Sequence, residues 1–360
     1  MNKTIVSVSG YGATGSSAVV DYLKGFEPVE VLDDFEFQIH YLPDGISDLD
    51  YKLNESCSRF YDSDVAITRF LDLCRELERW YEPAFHGHLY EMAEEYIRSL
   101  NPVTWQGYWA WDRLHTPQDY IDKCNSENEL RWKNNEKRRF FNRLLRKLHL
   151  PQLPYQELRK YGDFFQQREM FMSIKPEGFI EKTQQFSERL LDTARKKDTS
   201  ILVMNQLLPP QNPQRYEKYF SSPVKSIVVT RDPRDLYIHV KRPKWQVVPY
   251  QNVKSFVAWY KENMKKDSIY HDESSLRLYF EDMIYEFEAT GDHIKDFLGV
   301  ENDLIENSSF NPQISVANTQ LFKRFPEFDD DIRIIEKELA DYLYDFDNHK
   351  EVVAVSDIVF

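Results

Sequence analysis

The chain has 360 residues, 41% of them hydrophobic and 15% aromatic, which is enough to bury a substantial core and unlike a disordered chain. Its formal net charge of −14 argues against a general binder of nucleic acid or anionic membrane, yet leaves room for a phosphate held by a few local donors. Three cysteines, Cys57, Cys74 and Cys124, fit neither a disulfide framework nor a zinc site and point to a reducing compartment.

Thr4–Ser9 reads as an apolar strand through Ile5, Val6 and Val8. Because it begins so early, no secretory leader is expected. No apolar run is long enough to span a bilayer, so the expected location is cytoplasmic, with no integral membrane segment. Gly10–Ser17 is a glycine-rich turn, Ala18–Lys24 a helix, and Val29–Leu32 a second strand ending at Asp33 and Asp34. Strand, turn, helix and strand in that order form a parallel βαβ unit. From about 50 to 198 the spacing is helical, over Val65–Ala84, Leu89–Leu100, Glu136–Leu148 and Glu177–Lys197, with Pro151, Pro154 and Pro176 as punctuation. This stretch reads as a helical insertion within one domain spanning 1–360. Strand patterns return at Ser200–Met204, Ser226–Thr230 and Leu276–Phe280. Ile332–Phe346 reads as an amphipathic helix with Ile334, Ile335, Leu339, Leu343 and Phe346 on its apolar side.

The turn Gly10-Tyr11-Gly12-Ala13-Thr14-Gly15-Ser16-Ser17 is built for an anion. Glycines let the backbone turn tightly, and the following helix offers unpaired N–H groups at its positive end. Three patterns fit these letters. Gly10, Gly12 and Gly15 satisfy a dinucleotide fingerprint, with Asp33 near the ribose-binding position. Gly10–Ser17 also fits a nucleoside-triphosphatase loop, except that Ser16 stands at its lysine. Finally, Thr14-Gly15-Ser16-Ser17 is similar to the Ser-Gly-Thr-Thr core of the sulfotransferase loop that holds the donor's 5′-phosphosulfate.

Two later segments separate the three. The strand Lys225–Thr230 runs into Arg231-Asp232-Pro233-Arg234-Asp235, which resembles the sulfotransferase motif for the 3′-phosphate of the donor PAPS. An arginine at a strand end can fork onto a phosphate, while Asp232 and Pro233 suit a helix start. Leu278-Tyr279-Phe280-Glu281-Asp282-Met283, followed by a helix closing Phe297-Leu298-Gly299, resembles the family's Tyr-Glu-Asp-Leu strand end and Phe-Leu-Gly helix end. Neither dehydrogenases nor triphosphatases carry these segments in this order. The resemblance covers about 1–50 and 200–345 and looks closest to bacterial, carbohydrate-type sulfotransferases.

The resemblance implies an α/β fold with a central parallel β-sheet flanked by helices, P-loop nucleoside-triphosphatase-like, with the helical insertion as a candidate acceptor-binding element. It implies PAPS as donor, PAP as product, no metal, and a hydroxyl acceptor, in the first instance a saccharide or glycan. Donor contacts fall on Gly12, Ala13, Thr14, Gly15, Ser16, Ser17 and Arg231. Ala13 departs from the basic residue that many members carry there. His239 stands where the family's 3′-phosphate serine lies, eight residues after the motif arginine. An Arg-Lys-Gly triplet found in animal cytosolic members is absent, and Asn318, Lys323 and Arg324 occupy a comparable late region. Lys241, Arg242 and Lys244 could supply the missing cation, with Lys241 and Lys244 as the catalytic candidates.

On the acceptor side Glu36 matches the family's base, with Asp33, Asp34 and His40 as rivals. His86 and His88 lack a third metal ligand. The aromatics from Trp105 to Trp111 suit either a sugar face or a core, and core packing is the simpler reading. The function expected is sulfuryl transfer from PAPS to a hydroxyl. Rival readings are an NAD(P)-dependent oxidoreductase or epimerase, and a sulfotransferase-like nucleotide binder that has lost catalysis.

Overall fold

The computed structural model describes residues 4–33, 35–56, 60–109, 118–157, 167–267, 273–300, 310–349 and 352–354. Seven strands occur among them: β1 (Thr4–Gly10), β2 (Val29–Leu32), β3 (Val103–Gly107), β4 (Arg168–Met172), β5 (Ile201–Asn205), β6 (Val224–Thr230) and β7 (Ser275–Tyr279). The chain forms two compact units. One comprises Met1–Tyr51, Arg69–Leu100 and Glu177–Phe360, the other Lys52–Thr68 and Asn101–Pro176.

The larger unit is built on a five-stranded sheet in the order β2-β5-β1-β6-β7, with every neighbouring pair parallel. Its strands are near-continuous apolar runs because both faces are covered. Ile227 and Val229 join the core beneath helices Ser16–Leu23 and Phe287–Leu298. Val228, pointing the other way, joins the core beneath helices Pro233–Lys241, Val253–Asp267 and Asp329–Glu338. A parallel sheet brings the carboxyl ends of its strands to one edge, where the loops after β1, β6 and β7 emerge together.

The expected α/β architecture is thus observed, with all five sheet strands within two residues of their expected bounds. The stretch expected as one helical insertion is divided between the units. Helices Leu89–Ser99 and Phe179–Ala194 belong to the larger one, where Tyr96 stacks on Phe186 at 4.6 Å and its hydroxyl meets Thr183 Oγ1 at 2.7 Å. The smaller unit is not wholly helical. β3 and β4 pair antiparallel, and buried Asp64 ties β4 down by accepting two bonds from Arg168 and one from the Phe171 N–H. Here Trp105 is partly exposed and Trp109 stacks on Tyr61 at 5.1 Å, while Trp111 lies outside the described residues.

The C-terminal helix is shorter than Ile332–Phe346. It covers Asp329–Glu338, then a single turn of 3-10 helix, Ala340–Tyr342, after which Leu343 is extended. The chain leaves the helix because the Tyr344 N–H donates to Asp232 at 2.9 Å, a long-range bond that helical periodicity cannot reveal. Among the described residues no helix is long and apolar enough to cross a membrane.

Candidate phosphate-binding site

The turn after β1 takes a left-handed path at three positions: Gly12 at φ 87°, Ala13 at 57° and Gly15 at 87°. Gly15 is irreplaceable on two counts. Its φ disfavours a side chain, and a Cβ there would stand 2.4 Å from the Phe280 ring. Ala13 carries a Cβ in the same region, a cost of about 1–2 kcal/mol that the surroundings must hold in place. Thr14 is buried and its Oγ1 accepts from the Tyr11 N–H at 3.3 Å. Helix Ser16–Leu23 comes directly after, so its first N–H groups have no intrahelical acceptor.

Opposite the turn lies the end of β6. Asp232 caps helix Pro233–Lys241 by accepting from the Arg234 N–H and is gripped by the Arg234 guanidinium at 2.8 and 3.0 Å. Asp235 accepts from the N–H groups of Gln320 and Leu321, both at 2.7 Å. Arg234 and both aspartates are therefore structural. Arg231 is different: it is 2% exposed, stacks over Phe280, and donates to the Ala13 carbonyl at 3.1 Å and the Asn318 carbonyl at 2.5 Å. Burial pulls its pKa down, while Asp235, Glu281 and Asp232 push it back. Only two of its five N–H donors are used in these bonds.

These segments enclose a cavity of about 510 Å³. It is lined by Ala13, Gly15 and Ser17 from the turn, Arg231 and His239 from the second segment, and Asn318 from the third. Three of its polar atoms, Arg231 Nε, His239 Nδ1 and Asn318 Oδ1, are buried and have no hydrogen-bond partner among the described residues. Burial, helped by the Arg231 charge, lowers the His239 pKa to about 3, so the ring is neutral and keeps one N–H to donate. The buried Arg231 guanidinium, the half-buried His239 ring and a cradle of N–H groups fit a phosphate-bearing ligand.

The remaining candidates are scattered. Lys323 is exposed and donates to Gln320 at 2.7 Å, away from the cavity lining. Lys241 is held by Asp331 at 2.5 Å and by the Tyr237 hydroxyl, and does not line the cavity. Arg242 stacks on Phe325 at 3.9 Å. Lys244 is also outside the cavity lining, but it is exposed and forms no ion pair among the described residues, and its neighbour Trp245 lines the cavity. Glu36 is exposed beyond the carboxyl end of β2, accepting from Gln38 Nε2 at 2.8 Å.

Of Glu36's rivals, Asp33 is paired with Lys24 at 2.6 Å, and Asp34 lies outside the described residues. His40 is corrected to a core residue: it is fully buried, bonded to Ser187 Oγ at 2.9 Å, and its pKa is lowered by burial to about 3. His88 pairs with Glu91, and among the described residues no three potential ligands gather.

Sequence reading missed Phe310, Asn311, Ile314 and Ser315, which line the cavity from the turn before Asn318. The only local signal was Asn311-Pro312, a helix start in which Asn311 Oδ1 accepts from the Gln313 N–H.

No family model matches the chain, and no curated protein matches it. Among solved structures it is similar to a sulfotransferase from Alicyclobacillus acidocaldarius, at 16% identity over 47% of this chain and 72% of that one, with a TM-score of 0.25. It is also similar to retinol dehydratase in complex with androsterone and the inactive cofactor PAP, at 14% identity over 96% and 81%, with a TM-score of 0.30. Likenesses this distant carry no weight for the function.

Proposed function

We propose that the chain is a sulfotransferase that moves a sulfuryl group from PAPS to a hydroxyl acceptor, with a saccharide as the first acceptor class to try. One observation carries the reading. The turn Ala13–Ser17 and the pair Arg231 and His239, over 200 residues away, line a single cavity of ligand size. In this reading the N–H groups of Gly12–Ser17 hold the 5′-phosphosulfate side. Arg231, His239 and Asn318 read the 3′-phosphate, and the Phe280, Phe310 and Trp245 rings offer apolar surface to the base. The donor supplies an activated sulfuryl group. Lys244, on the loop that also carries Trp245, is the remaining cation for charge that develops on the bridging oxygen. Glu36 takes the proton of the acceptor hydroxyl.

The dinucleotide alternative fits the fold less well. In both common doubly wound orders the second strand lies beside the first. Here β5 stands between β1 and β2.

The test is turnover: the chain is incubated with PAPS and a panel of sugars, phenols and alcohols, and PAP release is followed. Release that depends on one acceptor class supports the proposal and names the acceptor. PAP binding with no release across the panel would instead favour a degenerate nucleotide binder.

A further inference from the structure

Helix Gln118–Lys147 of the smaller unit is turned inside out by its own packing. An extended segment, 150–157, runs back along one face and is clamped there by side chains. Asn142 Oδ1 accepts from the Leu153 N–H at 2.7 Å, and its amide donates to the Leu153 carbonyl at 2.9 Å. Two turns earlier Asn135 makes the same pair of bonds with Gln156, at 2.7 and 2.6 Å. Arg138 donates to the Pro154 carbonyl at 2.6 Å. The amide face is consequently the buried one. Asn142 is 2% exposed, whereas Phe140 is 68%, Phe141 54% and Leu148 60% exposed. Leu144, also exposed, lies one turn from all three.

The charge of this helix is as unusual as its packing. Residues 131–147 hold eight lysines and arginines against one acid, Glu136, a net of +7 in a chain whose total is −14. Lys137, Arg139, Arg143 and Lys147 are all exposed beside the apolar side chains. The whole-chain sum conceals this segregation.

We propose that this face docks the protein onto a bilayer surface bearing anionic headgroups. Aromatic and leucine side chains enter the boundary between headgroups and acyl chains, while the flanking cations reach the headgroup anions along their own apolar stems. Leu150, Leu153 and Tyr155 of the clamped segment are exposed as well and enlarge the apolar surface. A second copy meeting this face symmetrically would press +7 against +7. A nucleic acid would use the cations and rings but leave the leucines without a role.

Co-sedimentation of the full chain with phosphatidylcholine vesicles, with and without phosphatidylserine, tests this. Binding should require phosphatidylserine and weaken with salt. Two double variants separate the contributions: Phe140→Ser with Phe141→Ser keeps the charge, and Arg139→Gln with Arg143→Gln keeps the apolar side chains. Each should lower partitioning about tenfold or more. Phe140→Leu with Phe141→Leu should restore it, with melting temperatures unchanged throughout. Arg231→Ala, in the larger unit, should not alter vesicle binding. Absence of vesicle binding would overturn the proposal. So would duplex DNA binding that only the arginine variant abolishes, or a dimer that the serine variant dissociates.

Discussion

Arg231 Nη1 donates to the carbonyl of Ala13 across 218 residues of sequence, joining the phosphate-type turn to the end of β6. The same guanidinium reaches the Asn318 carbonyl, so one buried cation fixes three walls of the cavity. Its Nε remains without a partner among the described residues.

That arrangement makes Arg231 both a brace and a reader. Arg231→Ala should weaken binding of PAP more than binding of the analogue that lacks the 3′-phosphate. A lost charge-assisted bond costs on the order of 1.5–3 kcal/mol. Calorimetry with both ligands measures the difference. Equal losses would assign Arg231 to bracing alone.

Two glycines separate backbone strain from collision. Gly15→Ala meets the Phe280 ring as well as an unfavourable φ, whereas at Gly299, φ 71°, a Cβ would meet nothing within 4 Å. Gly299→Ala should cost about 1 kcal/mol and leave nucleotide binding intact. Gly15→Ala should cost more, about 2–4 kcal/mol, and impair nucleotide binding. Denaturant melts with and without PAP give both quantities.

The cations at and just beyond the C-terminal end of helix Pro233–Lys241 divide in the same way. Lys241 is bound to Asp331, so Lys241→Ala should lower the melting temperature slightly, by about 0.5–1 kcal/mol in stability, and spare turnover. Lys244→Ala should leave the melting temperature alone and reduce kcat, by on the order of 10²-fold for a positioned donor. The reverse pattern would move the catalytic cation to Lys241.

Glu281 gives a pH signature. It is fully buried, Oε1 accepts from the Asp232 N–H, Oε2 has no partner among the described residues, and burial together with Asp232 and Asp235 raises its pKa well above the usual value. The folded chain therefore holds a proton that the unfolded chain releases near pH 4.3. Below that pH both states are protonated and the group has no effect on stability. As pH rises from there toward the folded pKa, the unfolded state binds fewer protons and stability falls. Glu281→Gln removes this dependence. Its stability relative to wild type should rise steadily from pH 4 upward in urea melts at a series of pH values. A difference that stays flat would mean that Glu281 ionises normally in the fold.

Much of this was legible in the sequence because it is local. Ile227–Val229 is apolar on both faces, which specifies a buried parallel strand, and Gly12 and Gly15 announce a left-handed turn. Arg231 was marked by the resemblance of Arg231–Asp235 to a sulfotransferase motif and His239 by the place of that family's serine, and both line the cavity. What local pattern cannot carry is partnership. Lys241 and Lys244 look alike in sequence, and only Asp331, 90 residues on, distinguishes them. His40 looked like a base beside Glu36 until Ser187 and Phe220 enclosed it. β3 and β4 pair across some 60 residues and left no periodic trace. Glu136–Leu148 read as one more charged helix, because exposure of Phe140 depends on the clamp on Asn142.

The most direct test of the donor site is a calorimetric titration of the full chain with PAP and, separately, with NADP. PAP should bind, NADP should not, and Arg231→Ala should reduce the PAP affinity. Micromolar binding of NADP with no heat from PAP would contradict the sulfotransferase reading.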